Sequence, residues 1–177
     1  MRAASAQLFH EHVFCKEPGT QAPTPWHHDL PYFEISWDDF ASFWIPLDPV
    51  TVDTGAMKFA KGSHKWGKVY KPVMIGSGKD AEGAAEFDGH APDIDADPDR
   101  YNVEMFEMQR GDALFFHAAT LHAAEPNRSS DVRRRALSLR YAGSRATFEP
   151  RDYVPSRPEM PELKPGGPLD GDDYPVI

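Results

Sequence analysis

Apolar residues in this chain occur in short runs that are separated by turn-forming residues. The first run, residues 8–15, is Leu-Phe-His-Glu-His-Val-Phe-Cys, which is rich in strand formers and precedes the turn signal Lys-Glu-Pro-Gly. We expect Pro46 to mark an end or an edge of the strand predicted at residues 41–47, because proline has no N–H to donate to a neighbouring strand. The Gly111-Asp112 turn predicts a hairpin formed by the runs on either side of it. Comparable runs predict strands at residues 41–47, 56–60, 103–108, 113–117 and 134–142.

No stretch shows a sustained apolar period of 3.6 residues, so the pattern predicts a mainly β protein with few short helices. A small barrel or jelly roll would close its sheet edges and enclose a ligand cavity. Residues 76–100, rich in Gly, Asp, Ala and Pro, predict a long loop. Residues 143–177 contain many prolines and can neither form a helix nor join a central sheet, so we expect them to wrap the surface. The predicted organisation is a core at residues 1–142 with an extension at 143–177 packed on the same domain.

Composition narrows the classes of function. The chain has 177 residues, of which 40% are hydrophobic, and a formal charge of -9. That charge disfavours a nucleic-acid partner, because phosphate binding needs clustered Lys and Arg. The apolar runs are far too short to span a bilayer, so we expect a soluble protein without a membrane partner. Cys15 is the one cysteine, which excludes an internal disulfide and favours a reducing compartment such as the cytoplasm.

The candidate chemistry starts at Trp26-His27-His28-Asp29. If this segment is extended, side chains two residues apart leave the same face, so the imidazole of His27 and the carboxylate of Asp29 point together. A second imidazole from elsewhere in the chain would complete a metal site. Two His and one carboxylate on one face of an octahedral metal, with the other positions open, are typical of non-haem Fe(II) oxygenases.

The third ligand has to come from another histidine. The chain has eight, at positions 10, 12, 27, 28, 64, 90, 117 and 122. His10 and His12 share a face of the first predicted strand, but no carboxylate at position 14 completes a site there. His117 ends a predicted strand, and His122 follows shortly after it. The pattern of residues alone leaves both of these as candidates.

Four blocks of sequence carry a resemblance to a known family. They are Thr24-Pro25-Trp26-His27-His28-Asp29-Leu30-Pro31-Tyr32, then Gly62-Ser63-His64-Lys65, then Gly111-Asp112-Ala113-Leu114-Phe115-Phe116-His117 running on to Leu121-His122, and Arg134-Arg135-Ala136-Leu137-Ser138-Leu139-Arg140-Tyr141. In this order, from about Phe14 to Tyr141, the chain resembles the phytanoyl-CoA dioxygenase (PhyH-like) family of Fe(II)- and 2-oxoglutarate-dependent dioxygenases. Family members carry a longer N-terminal part, so the resemblance implies either that this chain is a fragment or that it lacks the outer helices and strands that cover the sheet.

The resemblance implies a double-stranded β-helix, or jelly roll, that uses Fe(II), 2-oxoglutarate and O2. The iron ligands would be His27, Asp29 and His122, with no catalytic residues beyond them. Arg134 would bind the far carboxylate of 2-oxoglutarate, because a guanidinium pairs with a carboxylate through two parallel hydrogen bonds. Trp44 matches a family tryptophan beside the cosubstrate.

The residues around these positions are expected to be structural. Arg133 and Arg135 would face away from Arg134 in a strand, although a register slip of one residue would exchange them. His64 and His117 are expected to form structural hydrogen bonds. His28 is expected to be a pocket-wall residue. The walls of the substrate pocket would come from the loop at residues 76–100 and from residues near His28, Tyr32 and Phe33.

The implied reaction is oxidative decarboxylation of 2-oxoglutarate to succinate and CO2, coupled to hydroxylation of an unactivated C–H bond. Asp29 favours hydroxylation, because related halogenases carry a small residue at this position. Family members usually carry a serine where this chain has Ala124, which removes one possible hydrogen bond to the cosubstrate. The expected substrate is a small hydrophobic or amphipathic metabolite.

Two other classes of protein could use the same ligands. One is a non-catalytic β-barrel module or degenerate dioxygenase that keeps the metal site without turnover. The other is a Zn(II) hydrolase. Succinate formation would separate the enzyme from the binding module, and hydrolysis with zinc but without oxygen would identify the hydrolase. These patterns do not specify an oligomeric state.

Overall fold

Two four-stranded antiparallel sheets form the frame of the molecule. A computed structural model describes residues 3–36, 39–74, 79–80, 87–152, 154, 163–169, 171 and 174–177. The strand order is β1-β8-β3-β6 in the first sheet and β2-β7-β4-β5 in the second, which confirms the predicted mainly β architecture. The strands of the described residues are β1 (Ala6–Lys16), β2 (Thr24–His27), β3 (Phe40–Pro46), β4 (Met57–Ala60), β5 (Val103–Phe106), β6 (Leu114–His117), β7 (His122–Ala124) and β8 (Arg134–Gly143).

Helical structure in the described residues is limited to two short 3-10 segments, Leu30–Tyr32 and Ser63–Lys65. Pro31 lies in the first turn of the former, where a missing N–H costs no helical hydrogen bond. None of the helices in this part of the chain has the length and apolar character needed to cross a membrane.

Strand β8 shows how alternation in the sequence builds the interior. Its side chains point alternately inward and outward, because successive residues of a strand face opposite sides of the sheet. Ala136 and Ser138 are small, which leaves space between the sheets beside the two arginines of the same face. The buried residues of this face are Arg134, Ala136, Ser138, Arg140 and Ala142.

The apolar core is divided into clusters. The second sheet is joined to the first by a cluster that contains Trp44 of β3 and Phe59 of β4. Another cluster centres on Phe9, Phe33 and Phe40 and includes four residues from the proline-rich tail, Ala146, Phe148, Leu169 and Tyr174. The tail therefore contributes to the core and does not only wrap the surface.

The predicted hairpin of residues 103–108 and 113–117 is wrong. Strand β5 pairs with β4 in the second sheet, whereas β6 pairs with β3 in the first. Met108 forms an isolated bridge with Val50 between these strands, so the chain crosses from one sheet to the other here. Pro46 ends β3 as predicted, but β3 is not an edge strand, because it lies between β8 and β6.

The predicted long loop at residues 76–100 is described only in part, since residues 76–78 and 81–86 lie outside the described residues. Residues 87–100 contain turns and bends and no strand. Ile94 of this segment is fully buried against Tyr70 and Leu121. The described end of the loop is thus packed against the second sheet.

Gly55 occupies a position that glycine alone fits without strain. Its φ is +97°, and a Cβ there would lie 2.7 Å from the backbone oxygen of Glu125. We expect Gly55→Ala to lower the free energy of unfolding by about 1–3 kcal/mol, because the left-handed backbone and the fixed carbonyl both oppose a side chain. Chemical denaturation measures this loss.

Gly62→Ala is the matched control for that prediction. Gly62 also has a positive φ of +79°, but no atom lies within 4 Å of its Cβ position. It should therefore show the backbone strain without the clash and lose less stability. Equal losses in the two variants would contradict the predicted clash.

Candidate metal centre

Antiparallel pairing of β2 with β7 brings two histidines together. His27 is the last residue of β2 and His122 the first of β7, and the two are directly paired across the strands. Their ring centroids are 4.2 Å apart, and both side chains are buried. The structure therefore places His122, the more distant of the two candidates, beside His27.

Asp29 completes the cluster from a turn. The expected extended conformation of this residue is wrong, since its φ of -71° and ψ of -38° are helical. Its N–H donates to Ala118 O at 2.9 Å as the chain enters the 3-10 segment. Its Oδ1 lies 3.9 Å from His27 Nε2 and 3.8 Å from His122 Nε2. Among the described residues, these three form the one group suited to hold a metal, with ligand atoms within 4.8 Å of one another.

Backbone carbonyls fix the orientation of both imidazoles. His27 Nδ1 lies 2.8 Å from Pro25 O, and His122 Nδ1 lies 2.9 Å from Thr120 O. A carbonyl can only accept, so each Nδ1 carries the proton and each Nε2 presents a lone pair toward Asp29. Burial lowers the pKa of His27 to about 3 and also lowers the pKa of His122. Both rings are therefore neutral at pH 7.

The carboxylate of Asp29 remains ionised although it is buried. Burial acts to raise its pKa, but this is outweighed, most strongly by Arg140, and the pKa lies well below its usual range. Ser42 Oγ donates to Oδ2 at 2.5 Å and Arg140 Nη2 donates to Oδ1 at 3.2 Å. Neutral imidazoles and an ionised carboxylate are the protonation states that bind a divalent metal.

A cavity of about 300 Å³ adjoins the three side chains. Much of its wall is apolar, and its polar lining carries more positive than negative charge. Such a cavity can exclude water from a metal while it attracts an anion. The apolar wall includes Phe14, Trp44, Met57 and Phe116, and the polar lining includes His27, Asp29, His122, Lys16, Arg134, Ser138 and Arg140.

Arg134 and Trp44 meet inside this cavity. The guanidinium of Arg134 lies over the Trp44 ring, 5.3 Å from its centroid, and Nη2 donates to Gly55 O at 3.3 Å. Its Nε is buried without a hydrogen-bond partner. Burial lowers the pKa of Arg134 to about 10, so it is still a cation at pH 7. A buried cationic donor without a partner is suited to an anionic ligand.

The neighbouring arginines lie on the other side of the strand. Arg133 and Arg135 are exposed, and each donates to a carboxylate, that of Glu17 at 2.9 Å and that of Asp48 at 2.8 Å. The register of β8 thus points Arg134 inward and its two neighbours outward.

His28 does not line the cavity, so the expectation that it forms a pocket wall is wrong. Its Nδ1–H donates to Ala119 O at 2.9 Å, and its Nε2 accepts from the N–H of Tyr70 at 3.1 Å. Burial lowers its pKa to about 4, which keeps the ring neutral as this arrangement requires. Tyr32 is likewise bonded to the backbone of Val73. The segment from Phe14 to Thr24 forms a wall of the cavity instead.

His117 has a structural environment. Its Nδ1 accepts from the N–H of Ala119 at 3.1 Å, and its ring stacks on that of His64 at 5.6 Å. Neither ring belongs to the cluster of His27, Asp29 and His122.

Sequence reasoning missed two side chains that hold Asp29 in place. Arg140 lies on the same face of β8 as Arg134, a parity that was visible in the sequence. Ser42 shares a face of β3 with Trp44 and is a polar residue in an otherwise apolar run. The sequence pattern does not single out either residue, because the carboxylate that they contact, that of Asp29, comes from a different part of the chain.

Comparison with known proteins places the chain in a family. Residues 2–136 match the family model for phytanoyl-CoA dioxygenase (PhyH). The chain belongs to the phytanoyl-CoA dioxygenase family. The matched region contains all three residues of the metal-ligand cluster.

Named relatives of this PhyH chain are oxygenases. The probable alpha-ketoglutarate-dependent hypophosphite dioxygenase of Stutzerimonas stutzeri is 32% identical over 130 residues, which are 73% of this chain and 43% of the relative. The 1-deoxypentalenic acid 11-beta-hydroxylase of Streptomyces arenae is 35% identical over 120 residues, 66% of this chain and 39% of the relative. The PhyH chain thus spans less than half the length of these two relatives.

A solved structure agrees with the architecture. The epimerase SnoN from nogalamycin biosynthesis, in complex with Fe3+, alpha ketoglutarate and nogalamycin RO, matches with a TM-score of 0.71 and 28% identity. The match covers 97% of this chain and 65% of the epimerase. The predicted double-stranded β-helix, or jelly-roll, fold is confirmed.

Arg140 and Asp29 form a buried ion pair whose loss should be strongly destabilising. Arg140→Met leaves an uncompensated carboxylate in the interior, so the metal-free variant should lose about 3–5 kcal/mol of unfolding free energy at pH 7. Adding Asp29→Asn removes that charge, and the double variant should recover most of the loss. Denaturation of the wild type, both single variants and the double variant gives the coupling between the two residues. Additive losses would contradict the ion pair.

Proposed function

We propose that this chain carries the catalytic centre of an Fe(II)- and 2-oxoglutarate-dependent oxygenase that hydroxylates a small hydrophobic or amphipathic metabolite. The observation that carries the proposal is the buried cluster of His27, Asp29 and His122 beside a cavity that also contains Arg134. Two imidazoles and one carboxylate are typical of non-haem Fe(II) oxygenases. The family membership supports the same activity.

The three side chains fit a divalent iron in chemistry as well as position. His27 and His122 would bind through Nε2, which is unprotonated, and Asp29 through Oδ1, which faces both rings. Ser42 occupies Oδ2 and so favours binding through one oxygen. When bound, the iron supplies the activation of O2. Because Asp29 is a carboxylate ligand and not a small residue, we expect hydroxylation instead of halogenation.

Arg134 is proposed to bind the far carboxylate of 2-oxoglutarate, and Trp44 to support it. The indole packs against the guanidinium, which restricts its position before any ligand arrives. The unpartnered Nε offers a donor beside the Nη groups, so a bidentate pair with a carboxylate is available. Ala124 is an apolar wall residue where a serine is usual, so Arg134 carries more of the binding.

The proposed reaction balances without a further reductant. One oxygen atom of O2 enters the substrate as a hydroxyl group, and the other enters succinate as 2-oxoglutarate loses CO2. The protein orients the reactants and keeps the site dry, and the apolar side chains of Phe14, Met57 and Phe116 line the cavity for this purpose.

The proposed substrate class follows from that wall. Aromatic and aliphatic side chains favour a small hydrophobic or amphipathic molecule. The names of the two curated relatives refer to hypophosphite and to 1-deoxypentalenic acid, which differ greatly in chemistry. A shared fold therefore does not transfer a substrate to this chain.

Succinate formation from 2-oxoglutarate tests the proposed activity. We expect succinate formation to require both Fe(II) and O2. Loss of a residue that only supports a metal ligand typically costs about 10–100-fold in activity, so loss of the ligand itself in His122→Ala should cost more than about 100-fold. His64→Ala is the matched control, since His64 is exposed and does not line the cavity. Chromatography of reactions run in air and under nitrogen measures the product. Undiminished succinate in His122→Ala would contradict the proposal.

A further inference from the structure

Two cations face each other across the sheet at the cavity. Lys16 at the end of β1 is the direct cross-strand partner of Arg134 at the start of β8. Both side chains line the cavity. Like charges at directly opposed positions of a sheet are destabilising, so this arrangement has a cost in the free protein.

The hydrogen-bond partners of both cations are backbone carbonyls. Lys16 Nζ donates to the backbone carbonyls of Ala124 and Glu125, at 3.4 Å and 2.5 Å. Arg134 donates to the carbonyl of Gly55. Within the described part of the chain, no carboxylate forms an ion pair with either of them.

Arg133 and Arg135, which are exposed, each pair with a carboxylate, whereas the two cations that line the cavity do not. The chain has 28 acidic and 19 basic residues, so it contains enough carboxylates to pair with both cations. Burial and, less strongly, the charge of Arg134 lower the pKa of Lys16 to about 8, although the carboxylate of Glu125 acts to raise it. A ligand of negative charge would relieve both effects.

We infer that Lys16 and Arg134 together hold a single carboxylate, the far carboxylate of 2-oxoglutarate, with Lys16 as a second cosubstrate-binding residue. This inference rests on the proposed function. The planar guanidinium supplies two parallel donors, and the ammonium supplies a third from the adjacent strand. An ionised carboxylate has about four acceptor positions, so it accommodates all three.

The expected consequence is selectivity for a dicarboxylate. Pyruvate shares the 2-oxo acid group of 2-oxoglutarate but has no far carboxylate. Loss of Lys16 should therefore weaken binding of 2-oxoglutarate and leave binding of pyruvate unchanged. A lysine with a purely structural role would affect the two ligands alike.

Isothermal titration of 2-oxoglutarate and of pyruvate into the Mn(II)-loaded protein tests this inference. We expect Lys16→Met to weaken 2-oxoglutarate binding by about 10-fold or more, the size of one hydrogen bond to a charged group. Lys16→Gln is the second variant, because its amide can still donate to the carbonyls of Ala124 and Glu125 without the charge. Lys68→Met is the control, since Lys68 is exposed and outside the cavity. Thermal melting checks that every variant is folded.

The outcomes separate this inference from the proposed function. If the wild type does not prefer 2-oxoglutarate to pyruvate, both are overturned. If the wild type has this preference and both Lys16 variants keep it as Lys68→Met does, the role of Lys16 is overturned and the proposed function stands. Loss of the preference in a folded Lys16→Gln supports the two-cation site even where Lys16→Met fails to fold.

Discussion

The burial of one negative charge, that of Asp29, is the constraint on which the centre depends. An isolated ionised carboxylate in the interior would be strongly unfavourable or would take up a proton. Here Ser42 of β3 and Arg140 of β8, both in the first sheet, donate to it. The two histidines beside it come from β2 and β7 of the second sheet. The carboxylate therefore lies between the two sheets, bound by side chains of the first and facing the imidazoles of the second.

The arginines of β8 differ in environment according to the face of the strand on which they lie. Arg133 and Arg135 are paired at the surface, where such ion pairs add little to stability. Arg140 is used inside the protein to balance Asp29. Arg134, with Lys16 opposite, is left without a carboxylate in the cavity. An acidic chain thus concentrates uncompensated positive charge at the place where an anionic cosubstrate is proposed to bind.

Sequence patterns predicted the features that depend on near neighbours. The strands predicted at residues 41–47 and 134–142 correspond to β3 and β8 with bounds that differ by one residue at most. The hairpin predicted around Gly111 is wrong, because a turn signal in the sequence does not indicate which sheet the next strand joins. The turn at Asp29 depends on a hydrogen bond to a residue far along the chain, so no local pattern encodes it. His122 was separable from the other histidines by family resemblance and not by spacing.

We propose that His27, Asp29 and His122 hold Fe(II) with 2-oxoglutarate bound beside it. The visible absorption spectrum of the protein, recorded without oxygen, tests this most directly. We predict a charge-transfer band when both Fe(II) and 2-oxoglutarate are present, which neither produces alone and which is lost in His27→Ala. A folded wild-type protein that shows no band with both added would contradict the claim.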